Sequence, residues 1–221
     1  MAVTGLALFL FVVGHLAGNL QLFLGPEELN RYGNFLQTNL ELIWPARIGL
    51  LVLVFLHIWS AIQLTIENRA ARPQPYVQQE VVAASYASRT MIWSGFIIAA
   101  FIIYHLLHFT LQVPAVNLTG KSFVDLQDAK GQHDVYAMVV LGFKNPIVAG
   151  FYVFAMFLLC THLSHGLSAM FQSLGWKTPA YAMCLDCGAR LVSCLIFAGY
   201  ISIPIAVQLG LGDGYVKGLL K

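Results

Sequence analysis

The stretch RTMIWSGFIIAAFIIYHLLHFTLQV, residues 89–113, decides how this chain folds. After Arg89 it holds no Asp, Glu, Lys or Arg, and Pro114 follows it. At about 1.5 Å of rise per residue its length as a helix is about 37 Å, more than the roughly 30 Å of hydrocarbon in a bilayer. A run this long and this apolar is expected to be a transmembrane helix, because only helices and closed barrels satisfy every backbone N–H and C=O in lipid. Within that run stand His105 and His108. An ionisable side chain inside a span is expensive, and so marks function until shown otherwise.

Four further stretches read the same way. The first is Ala2 to Leu24, ended by Gly25-Pro26; the second is Trp44 to Ile66, opened by Pro45 and closed by Glu67-Asn68-Arg69. The fourth is Asn145 to Phe171, with Pro146 at its start, and the fifth is Gly188 to Leu209. Pro at a helix start and Gly or Pro beyond its end are the expected punctuation. The expected fold is therefore an all-α membrane protein of five transmembrane helices. The connector Pro114 to Lys144 is the longest, and its Tyr136 and Phe143 predict some order within it.

Composition agrees. Of the 221 residues, 58% are hydrophobic and only 10% are charged, against about 25% charged in soluble domains. A net charge of +2 excludes a nucleic-acid partner as a reading. Four cysteines, Cys160, Cys184, Cys187 and Cys194, lie in apolar sequence and do not make a disulfide scaffold. The first apolar stretch lacks a basic start and a small-residue cleavage site, so it reads as a span and not as a cleaved signal. Five spans put the chain ends on opposite sides. Arg69, Arg72, Arg89, Lys177 and Arg190 share the N-terminal side; Arg31, Arg47, Lys121, Lys130, Lys144, Lys217 and Lys221 share the other. The first set, on shorter segments, leans cytoplasmic.

Of seven histidines, His133 falls in the long connector and reads as a surface residue. The rest fall on four successive spans: His15, His57, the doublet His105/His108, and the doublet His162/His165. Measured from the side where the chain starts, His15 lies about 20 Å deep and His105 about 22 Å. The second and fourth spans run the other way and place His57 about 14 Å and His162 about 8 Å from that side. The depths pair His15 with His105 and His57 with His162. Two pairs at two levels suggest two bis-histidine hemes, which leave no open position on iron and favour electron transfer. Spans 1–4 would then form the heme-binding bundle. Gly5 and Gly95 each precede a paired histidine by ten positions, and Gly166 follows His162 by four; a flat porphyrin needs helices without side chains beside it. Helical spacing turns both members of each doublet to nearly the same side, about a turn apart. His105 and His162 are the ligands by depth, with His108 and His165 as neighbours able to reach a propionate or a quinone.

With these residues on the page, the chain resembles a known family, the single-subunit di-heme cytochrome b membrane anchors (the cytochrome b558 type) of succinate:quinone oxidoreductases. The resemblance rests on GHLAGNLQLF, LHIWSAIQLTIENRAARPQPY, SRTMIWSGFIIAAFIIYHLLHF, HDVYAMVVLGFKNP, THLSHGLSAMFQSLG and GYISIPIAV. It covers nearly all of residues 1–221 as one integral membrane cytochrome b domain. It implies axial ligands at His15, His57, His105 and His162, with the His57/His162 heme b proximal to the hydrophilic subunits and the His15/His105 heme b distal. It implies partners as well: a flavoprotein subunit with FAD, where succinate is oxidised or fumarate reduced, and an iron–sulfur subunit that relays electrons to this anchor. The expected acceptor or donor in the membrane is a quinone, menaquinone by expectation. The expected place is the bacterial inner (cytoplasmic) membrane, with the N-terminus in the cytoplasm, in the respiratory chain and tricarboxylic acid cycle. The chain itself has no dinucleotide fingerprint and no iron–sulfur spacing; Cys184-Leu-Asp-Cys187 is a lone C-x-x-C. The dicarboxylate site belongs to a partner, so the chain is enzymic only as a subunit.

Some relatives carry a glutamate after the first helix, near the distal heme, at the quinone site. The ungapped position here is Gln37, with Glu41 four residues on. Glu27 and Glu28 read as solvated turn charges, while apolar neighbours would desolvate Glu41. Arg89 on the N-terminal side and Arg47 on the other are placed for the propionates of the proximal and distal hemes, or else snorkel to the headgroups. Two rivals stand beside this reading. A di-heme cytochrome b of a hydrogenase or formate dehydrogenase would satisfy the histidine spacing but not the motif set. A histidine-lined transporter needs carboxylates deep in its helices, and none is placed so here.

Overall fold

The computed structural model describes residues 1–71 and 86–219, the side chains of residues 86–89 and of 219 excepted. Among the described residues the secondary structure is helical apart from one isolated bridge, Gln127 to His133. The first span is α1, Ala2–Asn19, continued by a 3-10 turn, Leu20–Leu24. Then come α2 (Pro26–Thr38), α3 (Leu40–Ala70) and α4 (Tyr86–His105), the last running into a π turn, Leu106–Thr110. The connector contains α5 (Pro114–Asn117) and α6 (Val135–Lys144); α7 (Pro146–Ser173), α8 (Ala182–Gln208) and the short α9 (Asp213–Leu219) complete the chain. Five of these segments are long and apolar enough to cross a membrane: Ala2–Leu24, Leu40–Ala70, Thr90–Thr110, Pro146–Ser173 and Ala182–Gln208.

Helix α3 shows most directly where these segments belong. It has 31 residues, is apolar round its circumference, and not one of them is buried. A helix greasy on every face is stable either inside a large protein core or in lipid, and exposure rules out the core. Its start corrects the sequence reading. The helix begins at Leu40, and Pro45 lies inside it. Proline has no N–H to give to Glu41 O, a loss the chain tolerates so near the helix start. Likewise α8 begins at Ala182, six residues before Gly188. Near its start it is tied back to α7 by Lys177, whose Nζ lies 2.6 Å from Asp186 Oδ1 and 2.8 Å from Ser168 Oγ. The sequence reading also missed α2, whose Pro26 occupies the first turn with Glu27 and Glu28 beside it, as suits the positive end of a helix dipole.

The tightest packing lies on the side of the membrane where α1 ends. There α6 sinks among its neighbours: Tyr136, Ala137, Met138, Val140, Leu141, Gly142 and Phe143 are all buried. They meet Phe101 of α4, Val148, Tyr152 and Ala155 of α7, Ile203 and Val207 of α8, and Val216 of α9. Taking such a side chain out of water contributes roughly 1.5–3 kcal/mol; where lipid is the alternative, close packing does the work instead. The connector, expected to be partly ordered, thus supplies the centre of this core.

A fully buried carboxylate fastens that cap. Asp134 Oδ1 accepts from Asn30 Nδ2 of α2 at 3.0 Å and from the Ala137 N–H of α6 at 2.9 Å, and its Oδ2 accepts from the Tyr215 hydroxyl of α9 at 2.8 Å. Asn30 Oδ1 in turn accepts from Tyr136 N at 2.8 Å. Asp134→Ala strips the acceptor from three donors at once, and is expected to lower stability by about 3 kcal/mol or more. Thermal unfolding in detergent, followed by circular dichroism, checks this; an unchanged midpoint would show that the network carries no stability.

Candidate functional site

The bundle brings the four span histidines together two by two. His15 of α1 and His105 of α4 have ring centroids 5.8 Å apart, with planes at 84°. His57 of α3 and His162 of α7 have centroids 6.5 Å apart, with planes at 62°. Aromatic rings surround the first pair. Phe11, one turn before His15, stacks on it at 5.3 Å; Phe101 and Phe109 lie 6.0 and 5.9 Å from His105. Tyr200 of α8 stands 6.3 Å from His15 and donates to Val12 O at 2.7 Å.

Hydroxyls address the second pair. His57 Nδ1 lies 3.1 Å from Thr4 Oγ1, and His162 Nδ1 lies 3.2 Å from Ser94 Oγ. At both places the next residue is a glycine against the same ring. A Cβ on Gly5 would stand 3.4 Å from His57 Cε1, and one on Gly95 would stand 3.6 Å from His162 Cε1. Gly5 and Gly95, which precede His15 and His105 by ten positions, thus lie against the rings of the other pair. Ten residues of helix are about 15 Å of rise, so each of α1 and α4 presents a glycine at one level and a histidine at the other. Gly166 has nothing within 4 Å of where a Cβ would be.

The two histidines of the α4 doublet share Tyr152 but differ in their other partners. In the π turn the Leu111 N–H donates to Leu106 O, five residues back, at 2.7 Å. Within that wider turn His108 lies against Gly142 of α6 and Tyr152 of α7, where it is completely buried. It stacks on Phe109 at 4.0 Å and lies 5.9 Å from Phe123. Its Nδ1 meets the Tyr152 hydroxyl at 3.0 Å, the same hydroxyl that lies 3.4 Å from His105 Nδ1. Its Nε2 is buried without a partner, and only the missing side chain of Gly142 clears space beside it, a Cβ there falling 3.1 Å away. Both members of the doublet therefore face Tyr152, as their spacing predicts, while His105 is the one that meets the histidine of another helix. On α7, His165 is half-buried and belongs to neither ring pair.

Other candidates fall outside these pairs. Glu41 stands exposed in the first turn of α3, and Gln37 is exposed near the end of α2. Arg47 is exposed and its guanidinium lies 5.5 Å from the centroid of the Trp44 ring, a cation–π contact of the kind made at a membrane interface. Arg89 lies in the first turn of α4, which begins at Tyr86, but its side chain lies outside the described residues. His133 is half-buried, not a plain surface residue; burial lowers its pKa below the usual imidazole range, and Gln112 Nε2 lies 3.0 Å from its Nε2. Cys184 and Cys187 are exposed free thiols.

The donor set fits a particular kind of group. Among the described residues no three His, Cys, Asp or Glu side chains gather as metal ligands; the span histidines meet as pairs. With metal–imidazole bonds of about 2 Å, two ligating rings have centroids about 6 Å apart, close to both observed separations. Two neutral imidazoles in apolar surroundings match the axial ligation of a b-type heme.

Fold and site together define an all-α, multi-pass membrane protein with two histidine pairs inside its bundle. No family model matches the chain, and no curated protein or solved structure matches it either.

Proposed function

We propose that this chain is a di-heme cytochrome b, the membrane anchor and electron-transfer subunit of a succinate:quinone oxidoreductase. The observation that carries the reading is the meeting of four histidines from four helices in two ring pairs. His15 and His105 would hold one heme b, and His57 and His162 the other. Bound between two imidazoles, such a group supplies one-electron exchange and offers no coordination site to oxygen. The chain's part is to hold the ring pairs at two depths, to keep water from them with apolar helices, and to orient the imidazoles through their second nitrogens. The partners in this reading are a flavoprotein subunit and an iron–sulfur subunit on the cytoplasmic side of a bacterial inner membrane, with a quinone in the lipid. The motif set given above supports succinate:quinone chemistry over other quinone-linked cytochromes b.

Heme content tests the reading. The purified chain is expected to give about two hemes b per polypeptide by pyridine haemochrome, as two ligands per iron require, with a low-spin reduced-minus-oxidised spectrum. A value near zero or one would sink the four-ligand assignment. Copurification with an FAD-containing subunit that oxidises succinate separates this reading from a hydrogenase or formate dehydrogenase cytochrome.

A further inference from the structure

The hydroxyls beside the second histidine pair do more than fill space. Thr4 Oγ1 donates to Met1 O at 2.9 Å, and Ser94 Oγ donates to Met91 O at 3.1 Å. A hydroxyl has one hydrogen and two lone pairs. The carbonyl three residues earlier lies within reach of each hydroxyl hydrogen. With the hydrogens given to those carbonyls, each oxygen faces the imidazole only as an acceptor, and the contacts at 3.1 and 3.2 Å become bonds from Nδ1–H of His57 and His162. A neutral imidazole protonated at Nδ1 carries its free lone pair on Nε2. The arrangement is repeated on two helices: Thr4-Gly5 on α1 against His57, Ser94-Gly95 on α4 against His162. In each, the glycine lets the ring lie against the helix so that the hydroxyl can reach it. An alanine methyl would just touch the ring, and a larger side chain would displace it.

From this, and resting on the heme reading above, we infer that Thr4 and Ser94 are positioning residues that set the tautomer of His57 and His162 and leave both Nε2 lone pairs to the metal. The clamp acts on one pair alone. At the other pair the hydroxyl near His105 is that of Tyr152, which His108 shares. The two hemes are therefore tuned by different chemistry: saturated hydroxyls for one, a phenol for the other.

Accepting a hydrogen bond from Nδ1–H makes the imidazole a stronger donor and favours ferric iron, so removing the acceptor raises the reduction potential. Thr4→Val and Ser94→Ala, in the full chain with its hemes, are each expected to keep about two hemes per polypeptide. Each is expected to shift the reduction equilibrium of a single heme about tenfold, about 59 mV for one electron. That heme is the one lost in His162→Ala, and the double variant shifts it further while the other stays put. Thr4→Ser and Ser94→Thr retain the hydroxyl and return the potential. Unmoved potentials with both hemes present, or a shift in the heme lost in His105→Ala, would overturn the clamp and leave the cytochrome reading standing. Loss of a heme in Ser94→Ala supports the clamp if Ser94→Thr restores it and refutes it otherwise. An unsubstituted chain without heme overturns both.

Discussion

With two b hemes held as proposed, His105→Ala is expected to remove one and His162→Ala the other, while His108→Ala and His165→Ala are expected to leave both in place. The expectation follows from which rings meet. His105 and His162 each face the histidine of another helix, at 5.8 and 6.5 Å, so deleting either leaves one ligand where a low-spin iron needs two. His108 faces no second histidine. It shares the Tyr152 hydroxyl with His105, at 3.0 Å against 3.4 Å. If His105 binds iron through Nε2, its Nδ1 carries the proton and donates to the Tyr152 oxygen. The phenolic hydrogen then goes to His108 Nδ1, since a hydroxyl has only one to give. His108 in that arrangement carries its own proton on Nε2, the buried atom without a partner. Its loss disturbs the tyrosine and opens a cavity, at a cost of about 2–4 kcal/mol, so a lower melting temperature should accompany intact heme content. Spectra of the reduced variants, titrated by potential, tell the two hemes apart. Loss of heme in His108→Ala with retention in His105→Ala would reverse the assignment on α4.

Glu41→Gln is expected to cut quinone-linked succinate oxidation by on the order of 10²-fold or more, the usual weight of a proton-transfer group, and to spare oxidation by a soluble artificial acceptor. A quinone takes two protons with its two electrons, so its pocket needs a group that can pass them. Glu41 lies at the corner between α2 and α3, on the side of the membrane where α1 ends. Its side chain is exposed in the isolated chain, so the desolvation expected from its apolar sequence neighbours must come from lipid, quinone or a partner subunit. The comparison is made in the assembled complex with both hemes present. If both activities survive, Glu41 carries no protons, and the role passes to Gln37, to His108, or to the depression lined by Gln21 of the 3-10 turn and Arg31, Tyr32 and Phe35 of α2.

Much of the site could be read without coordinates because lipid narrows the choices. A backbone in hydrocarbon must bond to itself, which turns each long apolar run into a helix. The fixed rise of a helix then turns residue number into depth. Depth set His15 level with His105, at about 20 and 22 Å, and left His57 and His162, at about 14 and 8 Å, as the second pair; these are the rings that meet. What failed was local detail that a straight α-helix does not contain. Pro45 reads as a helix start, yet the extra turn Leu40–Trp44 precedes it. Equal spacing put His105 and His108 toward one side, where both reach Tyr152, but it gave no sign of the π turn that begins between them.

The sequence by itself therefore determined the five apolar spans, the four helices that carry histidine, and the two levels at which those histidines lie, since each depends only on run length and helical rise. Tertiary structure alone decided which side chains surround them. An α-helix as uniformly apolar as α3 carries no stripe that marks its inner face, and in lipid no hydrophobic force chooses its neighbours. Those choices fall to small residues and hydrogen bonds between positions far apart in the chain. Thr4 reaches His57, Ser94 reaches His162, Tyr152 reaches both His105 and His108, and Asn30 reaches Asp134. No local pattern announces such pairs, because each exists only once the helices have packed.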